Sequence, residues 1–263
     1  MIHLADDIRC LAVGAGQVGL FWLGQAGFVL KTPAGQRIYI DAYLSDSVER
    51  KFGPSWKRVM PSLLSPDEVE ADWLVSTHEH DDHLDVDALP LLAARLPQAR
   101  FAGPSACVDF YRSMGLPPER YCALAVGGEY ALGDALLRVV YADHGDLAPD
   151  AVGLVIEVGG LRIYHSGDTA FRPQQMQAVQ ALRPQVLLAC INGAYGNLNA
   201  QDAARLADFC GAQWVAPTHF WTFIEHYGDP AAFLQACRQL APHARPYLMR
   251  QGEGLLLDAR DFS

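Results

Sequence analysis

What this chain does without narrows its chemistry before any motif is considered. Only three lysines stand among 263 residues, and 30 acidic side chains outnumber 20 basic ones, for a formal net charge of −10. A surface of that sign is poorly suited to non-specific attachment to nucleic acid or to an anionic bilayer. It does not exclude an anionic small substrate, because bound metal ions reverse the sign locally. No apolar run approaches the roughly 18–20 residues that span a bilayer. The opening, MIHLADDIRC, carries two aspartates where a secretory signal would carry basic charge, so a cytoplasmic location is expected. Six cysteines (Cys10, Cys107, Cys122, Cys190, Cys210, Cys237) show no C-x-x-C spacing, and free, buried thiols are expected. There is no G-x-S-x-G nucleophile motif, no internal repeat and no Gly/Ser linker. One domain over residues 1–263 is the expectation.

What is present reads as β-rich segments interleaved with helices. LFWLG, FVLKT and RIYID have strand composition, the last two joined by a turn at PAGQ. Residues 42–66 are irregular, and WLVST is a buried-type strand. LDVDALPLLAARL has a helical pattern that Pro90 should kink or break. ARFAG is a strand and PSACVDFYRSMG a helix. ALLRVVYA, VGLVIEV and LRIYHSG are strands, the last two joined by a Gly-Gly turn. RPQQMQAVQALR, AQDAARLADFCG (ended by Gly211) and DPAAFLQACRQL read as helices, QVLLACI and QWVAPTH as strands. RPYLMRQGEGLLLD reads as a closing hairpin. Two sheets between helix layers fit this order. GAGQVG at 14–19 matches the dinucleotide fingerprint, with Asp41 about 20 residues beyond it. Yet LFWLGQAGFVLKT follows with strand composition where a helix must open, so the glycines read as a turn before the first strand.

The chemistry gathers in THEHDDH, residues 77–83, which holds three of the nine histidines. In an extended chain alternate side chains share a face. His78, His80 and Asp82 therefore point together, and a turn into the next helix brings His83 to the same pocket. Imidazole with carboxylate suits zinc, manganese or iron. Four such groups exceed what one ion takes from one short segment, which points to a pair of ions. Further candidates stand at strand ends: His144 after RVVYA, Asp168 in the turn HSGDT and His219 after QWVAPT. Two divalent ions bridged by a carboxylate hold a shared water and bring its pKa towards neutrality, giving a metal-bound hydroxide as nucleophile.

THEHDDH resembles the signature of the metallo-β-lactamase-fold hydrolases. FWLGQAGFVLKTPAG, FAGPSACVDFYRSMGLPPERY, YHSGDT, GAYGN and VAPTHF resemble the L-ascorbate-6-phosphate lactonase branch of that superfamily. ADHGD around His144 is more similar to the general superfamily pattern. The resemblance implies an α+β fold, an αββα four-layer sandwich with its site at one edge of the two sheets. It implies one ion on His78, His80 and His144, a second on Asp82, His83 and His219, and Asp168 bridging both. The implied activity is metal-dependent hydrolysis of a lactone or related small ester, anionic or sugar-derived, with Zn or Mn ahead of Fe. Two alternatives share the fold: a phosphodiesterase and a redox di-iron protein. Redox relatives carry a carboxylate where His80 stands.

Around the ligands, Asp41 at the end of RIYID is the leading candidate to orient a histidine, with Asp81 and His165 as further supporting residues. Asp82 doubles as proton acceptor, and His226 in FIEHYGD is a candidate proton donor. ERKFGPSWKR supplies Lys51, Trp56, Lys57 and Arg58, either as a lid over an anionic substrate or as a solvated loop that pairs its own charges. Asn192, Tyr195 and Asn197 in INGAYGN are candidates to hydrogen-bond a sugar-like substrate. The expected partner is a small-molecule substrate, with neither nucleic acid nor membrane, and a homo-oligomer is left open.

Overall fold

Strand alternation decides which residues meet. The computed structural model describes residues 3–262. The first half runs α1 (Leu4–Cys10), β1 (Gln17–Gly24), β2 (Gly27–Lys31), β3 (Arg37–Ile40), α2 (Ser47–Phe52), β4 (Trp73–Val75), α3 (Ala88–Arg95), β5 (Arg100–Gly103), α4 (Ser105–Ser113) and β6 (Tyr121–Ala123). The second runs β7 (Glu129–Leu132), β8 (Ala135–Tyr141), β9 (Val152–Val158), β10 (Leu161–His165), α5 (Gln177–Leu182), β11 (Val186–Cys190), α6 (Ala200–Cys210), β12 (Trp214–Thr218), α7 (Pro230–Leu240), β13 (Arg245–Pro246) and β14 (Gly254–Asp258). Two seven-stranded sheets result, ordered β14-β1-β2-β3-β4-β5-β6 and β13-β12-β11-β10-β9-β8-β7.

Along β1, Val18, Leu20 and Trp22 enter the core between the sheets, while Phe21 and Leu23 face the other way into a cluster with α1, α3 and α4. Ile38 and Ile40 against Tyr39 sort the same way in β3. The second sheet contributes Leu137, Val139, Leu154 and Ile156 to the inter-sheet core, and α6 and α7 pack onto that sheet's far side through residues such as Ala203, Leu206 and Phe233. This is the expected αββα sandwich. Each fully buried Leu, Ile or Phe contributes about 1.5–3 kcal/mol relative to exposure. Among the described residues no helix is long and apolar enough to cross a membrane, and all six cysteines are free.

Three expectations change. Residues 245–258 do not form a hairpin: β13 pairs in parallel with β12, and β14 crosses to the other sheet to pair antiparallel with β1, Gln17 opposite Asp258. Alternation gave both segments strand character, but a local pattern cannot name a partner. Pro90 neither kinks nor breaks its helix. α3 starts at Ala88, so the proline sits in the first turn, where its missing N–H is not needed. The stretch 42–66 is not wholly irregular. It contains α2 and is tied at its end to the loop after β12, through a bridge between Arg58 and Phe223 and a bond from Val59 N to Thr222 O at 2.7 Å.

The topology also fixes where the chemistry lands. β3 and β4 run parallel, as do β10, β11 and β12. β1 and β8 are each two antiparallel steps from a member of those sets, so they share its direction. Within each sheet the carboxyl ends of these strands therefore open on one edge, where ligands bind in sheets of this kind.

Candidate metal centre

Each candidate ligand follows one of those carboxyl ends. His78 to His83 leave β4, His144 follows β8, Asp168 follows β10 and His219 follows β12. The edge brings them together. His78 Nε2 lies 3.0 Å from His80 Nδ1, and His144 Nε2 lies 3.3 Å from that same Nδ1. Beside this trio, His83 Nε2 and His219 Nε2 stand 3.2 Å apart, with Asp82 Oδ2 at 3.7 and 3.4 Å from them. Asp168 lies between the trios. Its Oδ1 is 3.4 Å from His83 and 3.3 Å from His219, and its Oδ2 is 3.8 Å from His144. Three sets of donor atoms are each close enough to hold one ion: His78/His80/His144, His78/His83/Asp168 and Asp82/His83/His219.

The surroundings leave the right nitrogens free. His83 Nδ1 donates to Asp41 Oδ2 at 2.8 Å, which leaves Nε2 as the nitrogen that faces the cluster. His78 Nδ1 is 3.1 Å from the Thr77 hydroxyl, which itself donates to Asp41 Oδ2 at 2.7 Å and so accepts from the ring. His80 donates from Nε2 to Leu147 O at 3.1 Å, which leaves Nδ1 for the cluster. Metal-bound histidines are oriented this way by the hydrogen bond on their other nitrogen. Asp168 Oδ1 is buried without a hydrogen-bond donor. Converging imidazole lone pairs and an unpartnered buried carboxylate oxygen fit divalent cations.

Electrostatics point the same way. Burial raises the cost of charge at Asp168, but His219 and His83 hold it well below the usual carboxylate range. Asp82 is depressed likewise, burial being outweighed by His83 and His219. Burial and the neighbouring His219 push His226 down to about 3, so its ring is neutral near pH 7.

The supporting residues separate. Asp41 sits against the ligands: besides His83 it accepts from Thr77 N at 2.7 Å. His165 lies one layer out, donating from Nε2 to Ala26 O at 2.7 Å and accepting from Gly167 N at 3.1 Å, which steadies the turn that carries Asp168. Asp81 touches none of the ligand side chains; it accepts from Lys51 Nζ at 2.6 Å. Lys51 is thereby drawn into an ion pair. Arg58 is consumed by structure, donating to the carbonyls of Tyr43, Ser45 and Met60 at 3.0–3.1 Å. Lys57 is exposed. Lys51 and Arg58 are thus engaged by the protein itself, Lys51 through a carboxylate outside the 42–66 stretch, while Lys57 stays exposed. Trp56 does reach the site, its ring 5.5 Å from His226 and 6.0 Å from Tyr195. Asn197 donates to Asp168 Oδ2 at 2.7 Å, orienting that candidate ligand. Asn192 is buried with neither amide atom bonded.

Gln25 escapes a reading by residue type. It is fully buried, and its Nε2 lies 2.7 Å from Asp82 Oδ2, 3.0 Å from His219 Nε2 and 3.1 Å from His226 Nδ1. The Asp82 carboxylate fixes which way the amide points, since reversing it would set oxygen against oxygen. His226 then accepts on Nδ1 and carries its proton on Nε2. The signal available was topological: Gln25 follows β1, whose carboxyl end opens on the same edge.

A sequence profile of the beta-lactamase superfamily domain matches residues 19–219. The chain belongs to the beta-lactamase superfamily. Among superfamily relatives, a UPF0173 metal-dependent hydrolase of Aeropyrum pernix is 28% identical over 254 residues, covering 91% of this chain and 97% of the relative. A probable L-ascorbate-6-phosphate lactonase UlaG of Salmonella paratyphi B is 24% identical over 273 residues, covering 86% and 76%. Among solved structures, Igni18, a metallo hydrolase from Ignicoccus hospitalis, aligns with a TM-score of 0.74 at 25% identity, covering 92% of this chain and 99% of that one. An isothiocyanate hydrolase from Delia radicum gut bacteria aligns at 0.70 with 19% identity, over 92% and 99%, a likeness of fold alone.

Proposed function

We propose that this protein is a metal-dependent hydrolase acting on a lactone or related small ester, with two divalent ions, zinc or manganese ahead of iron, as its cofactors. One observation carries the reading. His144, Asp168 and His219, from three strand ends of the second sheet, meet residues 78–83 of the first with their donor atoms turned inward. Similarity to the A. pernix hydrolase and the Salmonella lactonase supports it. His78, His80 and His144 would hold one ion, Asp82, His83 and His219 the other, with Asp168 between them. Ions bound there supply Lewis acidity and lower the pKa of water towards neutrality.

The chain's own groups do the remaining work. Asp82, kept ionised by its histidines, accepts a proton and orients water. Asn197 and Gln25 hold Asp168 and Asp82 in place. His226, neutral and protonated on Nε2, offers a hydrogen-bond donor to a substrate oxygen. A histidine-rich first trio favours hydrolysis over redox chemistry. Elemental analysis should return about two ions per chain, as this centre requires. A panel of lactones and phosphodiesters, assayed with Asp168→Ala and His80→Ala, tests the reading. Both variants should lose hydrolysis, and full activity in either refutes the paired centre.

A further inference from the structure

The mouth of the centre has a composition that its expected anionic substrate does not explain. Trp56 packs 5.5 Å from His226 with the rings nearly perpendicular, 6.0 Å from Tyr195 and 5.7 Å from Phe223. His226 in turn stacks on the candidate ligand His219 at 4.5 Å, so this aromatic group is continuous with the metal centre. Tyr195 is 45% exposed and held in a left-handed backbone conformation, φ 55°, while Phe223 lies buried behind. Phe52 extends the surface, 5.9 Å from Trp56, and is itself exposed.

Much of the positive charge near the mouth is tied up, although Lys57, next to Trp56, is exposed. Lys51 is paired with Asp81, Arg50 with Asp87, and Arg58 is bound by three carbonyls. Apolar aromatic faces favour flat, uncharged groups.

We infer that the substrate presents a neutral aromatic or comparably flat apolar group to a wall formed by Trp56 and Tyr195, backed by Phe223 and edged by His226. This deepens the hydrolytic reading and rests on it.

The test uses the metal-loaded protein and three lactones: dihydrocoumarin (aromatic, neutral), γ-butyrolactone (neutral, not aromatic) and phosphogluconolactone (a phosphorylated sugar lactone). Dihydrocoumarin should have the highest kcat/KM. In parallel, calorimetry with the lactam analogue of dihydrocoumarin measures binding without turnover. Trp56→Ala should weaken that binding about three- to tenfold, the range of one aromatic contact. Tyr195→Asn, which tolerates the left-handed backbone, should weaken it in the same direction and guards against a folding defect at Trp56. Preference for phosphogluconolactone overturns the inference, as does unchanged lactam affinity in Tyr195→Asn. A change in sedimentation without a change in affinity also overturns it, in favour of a contact between copies. Failure to hydrolyse any lactone defeats the hydrolytic reading separately, because the calorimetric arm still decides the wall.

Discussion

Asp41 shows how much one buried side chain can fix. It holds Thr77 twice and His83 once, and through Thr77 it reaches His78. Replacing it by alanine leaves a buried amide and an imidazole N–H without acceptors, a loss on the order of 3 kcal/mol. Asp41→Ala should also weaken zinc binding about 10–100-fold, measured by chelator competition. Gln25 acts differently. In Gln25→Ala the metal content should stay intact while kcat falls about tenfold or more, as for other outer partners of a metal site. Elemental analysis beside steady-state kinetics separates these outcomes, and loss of metal in Gln25→Ala would contradict the assignment. The two residues also mark what the sequence reveals. Histidine and aspartate declare their chemistry by type, so Asp41 and the seven candidate ligands could be named from spacing and strand ends. Glutamine and threonine do not, and neither Gln25 nor Thr77 could be found without knowing which strands run parallel.

The strands that frame the edge depend on tight turns, and these differ sharply in tolerance. Gly159 and Gly160 join β9 to β10, both with positive φ. A Cβ on Gly159 would stand 2.3 Å from the backbone oxygen of Gln17, whereas one on Gly160 meets only the Ala259 Cβ at 3.3 Å. Gly159→Ala should therefore cost about 3 kcal/mol or more and Gly160→Ala about 1 kcal/mol, read from urea denaturation midpoints. Equal effects would show that the clash is relieved elsewhere. Backbone strain gathers near the centre too. Of six non-glycine residues with left-handed φ among the described residues, Gln25, Asp41, Tyr195, His219 and Trp221 lie in loops on the site edge, as expected where geometry is held for function. Most strands were legible because they are continuous apolar runs, buried on both faces. β6, β7 and α1 were not: they are short, and β6 and β7 expose much of their surface, which erases the contrast that a pattern needs. The helix α2 was hidden by the proline- and serine-rich stretch around it.

Proton linkage spreads the influence of the centre over the entire chain. Without metal, burial opposes charge on His83, but Asp168, Asp41 and Asp82 push it up to about 9. Burial is likewise outweighed at His219 by Asp168 and Asp82, which raise it to about 10. Unfolded imidazoles titrate near 6.5. A folded pKa above that value means stabilisation that is complete below about pH 6.5 and lost as pH rises through about 9–10. His226 has the opposite sign: held down to about 3, it withdraws stability as pH falls below about 6.5. Metal-stripped protein should thus be most stable near pH 6.5. Divalent ions displace the protons on His83 and His219, so zinc affinity should climb over the alkaline window in which the stripped protein weakens. Denaturation midpoints across pH, with zinc and with chelator, test both arms. A flat alkaline profile in the stripped protein would refute the proton-holding role of the carboxylates.

The crossing of β14 to the first sheet has a consequence for synthesis. β1 leaves the ribosome among the earliest strands, yet the neighbour that covers its outer side is residues 254–258. Until those residues emerge, a long apolar ribbon shows an open rim of amides and carbonyls, the geometry that invites pairing with other nascent chains. Halting translation before residue 254 should yield chains that aggregate or are retained by chaperones, whereas supplying the missing segment as a separate peptide should restore solubility.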